Sequence, residues 1–282
     1  MRSFLIIAGL LVLCFSKPLW DMARFSFHSD LYSHAFLIPV VTGYLIWCQR
    51  GKLPAFGRGP VLLAGIPALV GVGLLLLYGA GLIRGWQPSA NDYLAVMMLA
   101  FLCLLVADAF LFLGSKLMRA LAFPTAFLLF MVPFPSVVEQ GIEFFFQHTS
   151  AAAAHALFAL SGTPYLRDGL SFRLPGISIE VGPECSGIHS SLALFITSVL
   201  AGHLFFRSRW NRSLLALAVI PLGIIRNAFR IFTIAMLCVH VNPDMIDSPI
   251  HHRGGPIFFM LSLIPFSLLL YILWRLERKN PL

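Results

Sequence analysis

The chain alternates between long apolar runs and short polar ones. Eight runs are candidate membrane spans, at about 4–15, 34–48, 61–83, 93–113, 117–133, 185–206, 213–240 and 256–274. A helix needs about 20 apolar residues to cross ~30 Å of hydrocarbon, so the first run is short unless Ser16 to Trp20 extends it. Between the fifth and sixth runs, the segment from Pro133 to Glu184 breaks the pattern. Phe144 to Phe146 and Ala151 to Leu160, interrupted by Gln147, His148 and His155, read as an interfacial or re-entrant helix. Further on, Leu170, Phe172 and Leu174 alternate with polar residues, Pro175-Gly176 makes a turn, and Ile177, Ile179 and Val181 alternate again. Alternation on both sides of a Pro-Gly turn predicts a β-hairpin. The expected fold is an all-α polytopic membrane protein of about eight transmembrane helices, with a small outward-facing hairpin and a re-entrant or interfacial helix. Residues 1–282 are expected to form a single integral membrane domain.

Composition removes the soluble alternatives. Of 282 residues, 59% are hydrophobic and 11% charged, where soluble domains carry about 25% charged residues. Arg2 followed by the run from Phe4 to Phe15 has the look of a signal peptide. However, Ser16-Lys17-Pro18-Leu19-Trp20 is a poor cleavage site, and the run is read as a retained first span. The net charge of +8 is distributed in loop clusters between spans, which fits membrane topology better than nucleic-acid binding. No nucleic-acid partner is expected, and the lipid bilayer is.

Those clusters also set orientation. Arg2, Arg50, Lys52, Arg58, Lys116, Arg119, Arg207, Arg209, Arg212, Arg275, Arg278 and Lys279 fall on one side, with Glu277 as its one acid. The other side holds Lys17, Arg24, Arg84, Arg167, Arg173 and Arg253 with ten acids. By the positive-inside rule both termini are cytoplasmic, and the segment leading to Cys185 faces outward.

Five cysteines at irregular spacing, four of them within or at the ends of apolar runs, argue against a disulfide framework or a paired metal site. Cys185 alone has a polar setting, Gly182-Pro-Glu-Cys-Ser-Gly-Ile-His-Ser190. It is expected in the first turn of the sixth span, where free N–H groups and the helix dipole favour a thiolate. A small residue packed at a helix start fits the same position. Arg226 and Arg230 lie within the seventh span at i, i+4 spacing, on one helix face. An intramembrane arginine is a functional candidate because its insertion costs ~2.5–3.5 kcal/mol. A snorkelling side chain fits Arg230 better than the deeper Arg226. His251 and His252 open the eighth span on the outer side, and either suits general acid–base work. A cysteine, a cation for the oxyanion and a histidine on one membrane face make up the kit for thiol acyl transfer. His189, one turn past Cys185, can touch it or cap the polar entrance. Asp108, intramembrane and acidic, can pair with Arg226 or mark a proton path. Zinc bound by Cys185, His189 and His251 or His252 has no ligand spacing in its favour, and no cofactor is called for.

Four segments in order carry a family resemblance. They are Tyr32-Ser33-His34-Ala35-Phe36-Leu37-Ile38-Pro39; Leu174-Pro175-Gly176 through Glu184-Cys185-Ser186-Gly187-Ile188; Arg226-Asn227-Ala228-Phe229-Arg230-Ile231; and His251 to Gly255 with Phe259. Together they resemble the exosortase/archaeosortase family of multi-pass membrane cysteine transpeptidases. The resemblance implies Cys185 as nucleophile, Arg230 as the essential arginine and His251 as the histidine, with His252 the adjacent alternative. His189 stands where the family often has Arg, and Ala35 where it usually has Gly. The resemblance also implies a substrate class: exported proteins with a C-terminal sorting signal, made of a motif such as Pro-Glu-Pro, one membrane helix and a basic tail. No extra domain is expected after the eighth span. Two rivals stand beside this reading. One is a transporter or flippase with a polar path through Arg226, Arg230 and Asp108; the other is a zinc-dependent membrane protease.

Overall fold

A computed structural model describes residues 2–55, 57, 59–242, 244–245 and 255–279. The chain is mostly helical and divides into two compact units, Met1–Glu139 and Gln140–Leu282.

In the first unit, α1 (Arg2–Cys14) and α2 (Ser16–His28) are separated by a 66° bend at Phe15. A turn leads to α3 (Leu37–Gln49), followed by α4 (Val61–Ile83), α5 (Ala90–Leu113), α6 (Ser115–Ala120), α7 (Ala122–Phe127) and a 3-10 turn, Leu128–Met131. Helix α5 starts with a capping box, Ser89 accepting from the Asp92 N–H and Asp92 accepting in return, which satisfies two orphan donors. Asp92 also accepts from Ser136 N–H (2.8 Å) and Ser136 Oγ (2.9 Å). Tyr32, 2% exposed, donates to Glu139 Oε2 at 2.8 Å and accepts the Phe134 N–H at 3.1 Å, while Asn91 Nδ2 donates to the same carboxylate oxygen. The tyrosine of the first motif is thus a structural tie between the turn before α3 and the segment entering α8 (Ser136–Ser161). Asp108 is buried in α5, and neither of its oxygens has a hydrogen-bond partner among the described residues.

The second unit carries most of α8, then β1 (Leu166–Asp168), β2 (Ser171–Leu174), β3 (Ile177–Glu180), α9 (Ile188–Phe205), α10 (Arg209–His240) and α11 (Gly255–Lys279). The strands form an antiparallel sheet in the order β1-β2-β3. Gly176, with φ +83°, supplies the left-handed position that follows proline in a type II turn. The apolar residues of the alternating pattern, Phe172, Leu174, Ile179 and Val181, pack against Ala151, Ala154 and Phe158 of α8 and Ala228, Ile231 and Ala235 of α10. The small residues bring both helices close to the sheet. A second core, with Leu194, Phe206, Leu215, Val219, Phe266 and Leu273, joins α9, α10 and α11. The Glu277 carboxylate accepts from Arg207 N–H (2.6 Å), Ser208 N–H (3.0 Å) and Asn211 Nδ2 (2.7 Å). A negative group at the start of α10 is where the helix dipole favours it.

Among the described residues, α4, α5, α9, α10 and α11 are long and apolar enough to cross a membrane. Counting each of two bent helix pairs as one span gives seven. These five helices fall on the expected runs at 61–83, 93–113, 185–206, 213–240 and 256–274. The other three runs fold differently. The first joins α2 across the bend. The second yields α3, whose 13 residues rise only ~20 Å at 1.5 Å each. The fifth is divided into α6, α7 and the 3-10 turn, with the break at Leu121. Gln147, His148 and His155 do not interrupt α8, which runs unbroken for 26 residues. Their side chains bond instead to the Val181 carbonyl, the Phe144 carbonyl and the Tyr165 hydroxyl.

Candidate active site

The polar stretch before α9 forms a compact turn. Pro183–Cys185 make one turn of 3-10 helix, closed by Cys185 N–H to Gly182 O (2.9 Å) and Ser186 N–H to Pro183 O (3.0 Å). Gly187 then takes φ +75°, ψ 14° as the N-cap of α9. Cys185 therefore sits in a separate turn ahead of the helix, not in its first turn as the hydropathy pattern predicts. The left-handed residue at 187 makes the difference, because it divides what reads as one apolar helix start.

Helix α10 holds this turn from the side. Asn227, 1% exposed, donates from Nδ2 to the Cys185 carbonyl at 2.6 Å. Arg226, 7% exposed, donates from Nη2 to the Gly187 carbonyl (3.0 Å) and to Ser191 Oγ (3.2 Å). A Cβ at residue 187 would lie 3.0 Å from the Asn227 side chain and 3.1 Å from Arg226 Nη2. Glycine is required there twice over, for its backbone angle and for this close approach. Gly223 lets α9 and α10 meet one turn away, since a Cβ there would be 2.5 Å from Ser191 Oγ.

Cys185 and Arg230 line one cleft of about 40 Å3, with Ile179, Glu180, Val181, Asn227, Ile231 and Ile234. The structure thus brings together two of the expected residues, the thiol and the guanidinium, both partly exposed. A cation beside a thiol favours the thiolate and can receive an oxyanion. His189 lies exposed in the first turn of α9 and is not in the lining. His251 and His252 lie outside the described residues, as do Arg253 and Gly254. No cluster of three His, Cys, Asp or Glu able to hold a metal occurs among the described residues.

The model of the transmembrane exosortase family matches residues 20–268. The chain belongs to the transmembrane exosortase family. The matched region contains all four motif segments, from Tyr32 to Phe259. No curated protein and no solved structure matches the chain. Membership points to a membrane transpeptidase or protease acting on exported proteins.

Sequence reasoning gave no role to Asn227 or Ser191. Asn227 had one signal available, an uncharged polar side chain inside an apolar span next to an arginine. In such a span a buried polar group needs a partner. Ser191 carries no signal of its own, because serine is a routine small residue in membrane helices.

Proposed function

We propose that this exosortase is a membrane-embedded cysteine endopeptidase/transpeptidase. It cleaves the C-terminal sorting signals of exported proteins, of the Pro-Glu-Pro type, at the outer face of the cytoplasmic (inner) membrane. The observation that carries the reading is Cys185 and Arg230 lining one cleft, inside a chain of this family. Both termini lie in the cytoplasm on the distribution of Lys and Arg, and residues 1–282 act as one integral membrane unit.

In the reaction, the Cys185 thiolate adds to the scissile carbonyl carbon, and the Arg230 guanidinium receives the charge that develops on the carbonyl oxygen. The C–N bond breaks as His251, or His252 beside it, donates a proton to the leaving amine. This leaves a thioester on Cys185. The neutral histidine then takes a proton from water or an acceptor amine, which attacks the thioester. The thiolate leaves, with a carboxylic acid or a new amide as product. The sequence needs no cofactor. Asn227 and Arg226 act earlier, by holding the turn that presents Cys185.

Co-expression with a reporter carrying a Pro-Glu-Pro motif, an apolar helix and a basic tail tests the reading. The intact protein should release a shortened reporter, and Cys185→Ala should release none. Equal processing by both would reject it. The bonds of Arg226 to the cysteine turn and α9 also speak against the transporter reading, which needs that side chain on a solvated path.

A further inference from the structure

Among the described residues, strand β3 is an edge strand, paired with β2 on one side and with no strand on the other. Its register sets Ile177 opposite Leu174, Ser178 opposite Arg173, Ile179 opposite Phe172 and Glu180 opposite Ser171. The Val181 N–H continues the ladder to Leu170 O at 3.1 Å. Residues in an antiparallel ladder alternate between bonding the partner strand and facing away from it. The Val181 bond fixes the phase. Ile177 and Ile179 turn their backbone groups to β2, and Ser178 and Glu180 turn theirs to the open edge. There the Glu180 carbonyl accepts the Gly182 N–H at 3.1 Å. The N–H and C=O of Ser178 and the N–H of Glu180 have no strand beside them among the described residues.

This edge forms one wall of the cysteine cleft. Ile179, Glu180 and Val181 all line it. Successive strand side chains point to opposite faces, so three in a row border one cleft along the backbone edge. The other wall is a single face of α10, with Asn227, Arg230, Ile231 and Ile234 at i, i+3, i+4 and i+7. A volume of about 40 Å3 holds a few waters at ~10–15 Å3 each. It admits one small group, not a length of peptide. Most of a polypeptide substrate must therefore run outside it, and Ser178, exposed and outside the lining, lies on that route.

We infer that an extended segment of the exported substrate adds to β3 as a fourth strand, exchanging main-chain hydrogen bonds with Ser178 and Glu180 so that the carbonyl to be cut enters the cleft at Cys185. This rests on the peptidase reading above. Unpaired donors and acceptors on a strand edge are satisfied by another extended backbone, the chemistry of strand addition. Prolines lack an N–H. In a Pro-Glu-Pro signal the two prolines are two residues apart, so both can turn away from β3 while the glutamate backbone faces it.

The test uses the full chain in nanodiscs with a synthetic sorting signal (Pro-Glu-Pro motif, apolar helix, basic tail), with cleavage followed by mass spectrometry. Backbone N-methyl groups are placed one at a time on residues flanking the motif. Cleavage should fall about tenfold, the scale of one or two hydrogen bonds, at alternate positions and stay near the unmodified rate between them. On the protein side, Ser178→Pro removes an outward N–H without breaking the β2 ladder, and should raise KM about tenfold with little change in kcat. Should that variant fail to fold, the N-methyl scan decides alone. Uniform or absent N-methyl effects, with wild type cleaving and Cys185→Ala inactive, would overturn strand addition while leaving the peptidase reading intact. No cleavage by wild type, or equal cleavage by Cys185→Ala, would overturn both.

Discussion

Asn227 donates from Nδ2 to the carbonyl oxygen of Cys185 at 2.6 Å, so the helix that carries Arg230 also holds the backbone of the candidate nucleophile. Arg226, one residue earlier, holds the Gly187 carbonyl two residues further along the same turn. The spacing of Cys185 and Arg230 is therefore set by one rigid element, α10, and not by the loop alone. Reacting groups depend on such fixed spacing, since a misplacement of ~1 Å can cost about 100-fold in rate.

Asn227→Ala should show this dependence directly. It removes the bond to a part-buried carbonyl, at a cost of about 0.5–1.5 kcal/mol in stability. It also frees the turn, so kcat should fall about 10–100-fold while KM changes little. The reaction of Cys185 with a small alkylating reagent, measured in protein that remains folded, should change in the same variant. A variant that loses stability but keeps wild-type kcat and thiol reactivity would make Asn227 a packing residue only.

Gly187→Ala puts a side chain where the backbone is left-handed and the nearest side-chain atoms are 3.0 Å away. The backbone alone costs about 1–2 kcal/mol, and the added methyl pushes on both Asn227 and Arg226. A lower unfolding temperature and at least a tenfold loss of cleavage are expected. Gly182→Ala, in extended backbone with open space around its Cβ, should be far milder. Equal effects at the two glycines would show that close approach to α10 is not what position 187 requires.

Five long helices were legible from length and apolarity, because nothing in them competes with a continuous run. Helix α3 was not, since hydropathy counts the turn at His34 to Phe36 as part of the run although helix begins only at Leu37. The alternating residues around Pro175-Gly176 carried the buried face of β2 and β3, whereas β1 offers only Leu166-Arg167-Asp168 and no alternation long enough to read. At the site, motif order singled out Cys185 and Arg230, which line one cleft, but hydropathy could not place Cys185 in its own turn. That depends on a single backbone angle at Gly187. Asn227 was quoted in a motif and passed over because its partner is a main-chain carbonyl, which leaves no mark in the sequence.

The proposed topology makes a labelling prediction. Cys48 ends the run at 34–48, next to the basic cluster at Arg50 and Lys52, while Cys185 lies on the opposite side by the charge rule. Both are accessible within the chain, Cys48 exposed and Cys185 partly so, so sidedness and not burial should decide their labelling. A membrane-impermeant thiol reagent applied to intact spheroplasts should modify Cys185 and spare Cys48, and permeabilisation should add Cys48. The reverse order would place the cysteine turn in the cytoplasm.

The roles given to the site residues separate in a mutational series read as cleavage of the sorting-signal reporter against the amount of folded protein. Cys185→Ala should be inactive but folded, because among the described residues that line the cleft no other group can form the thioester. Arg230→Lys should also be nearly inactive, since an ammonium cannot reproduce the planar set of donors that guanidinium offers an oxyanion. Arg226→Ala should act first on stability. It removes the bonds to the Gly187 carbonyl and the Ser191 hydroxyl from a side chain that is 7% exposed, and a hydrogen bond to a charged group contributes about 1.5–3 kcal/mol. Its activity should therefore recover in part when the protein is assayed at lower temperature, whereas that of Arg230→Lys should not. Loss of proton transfer at His251→Ala should cost about 10²–10⁴-fold, with His252→Ala much nearer wild type. An inactive His252→Ala beside an active His251→Ala would move the acid–base role one residue along. Activity in both single variants together with loss in the double variant would mean that either ring can deliver the proton.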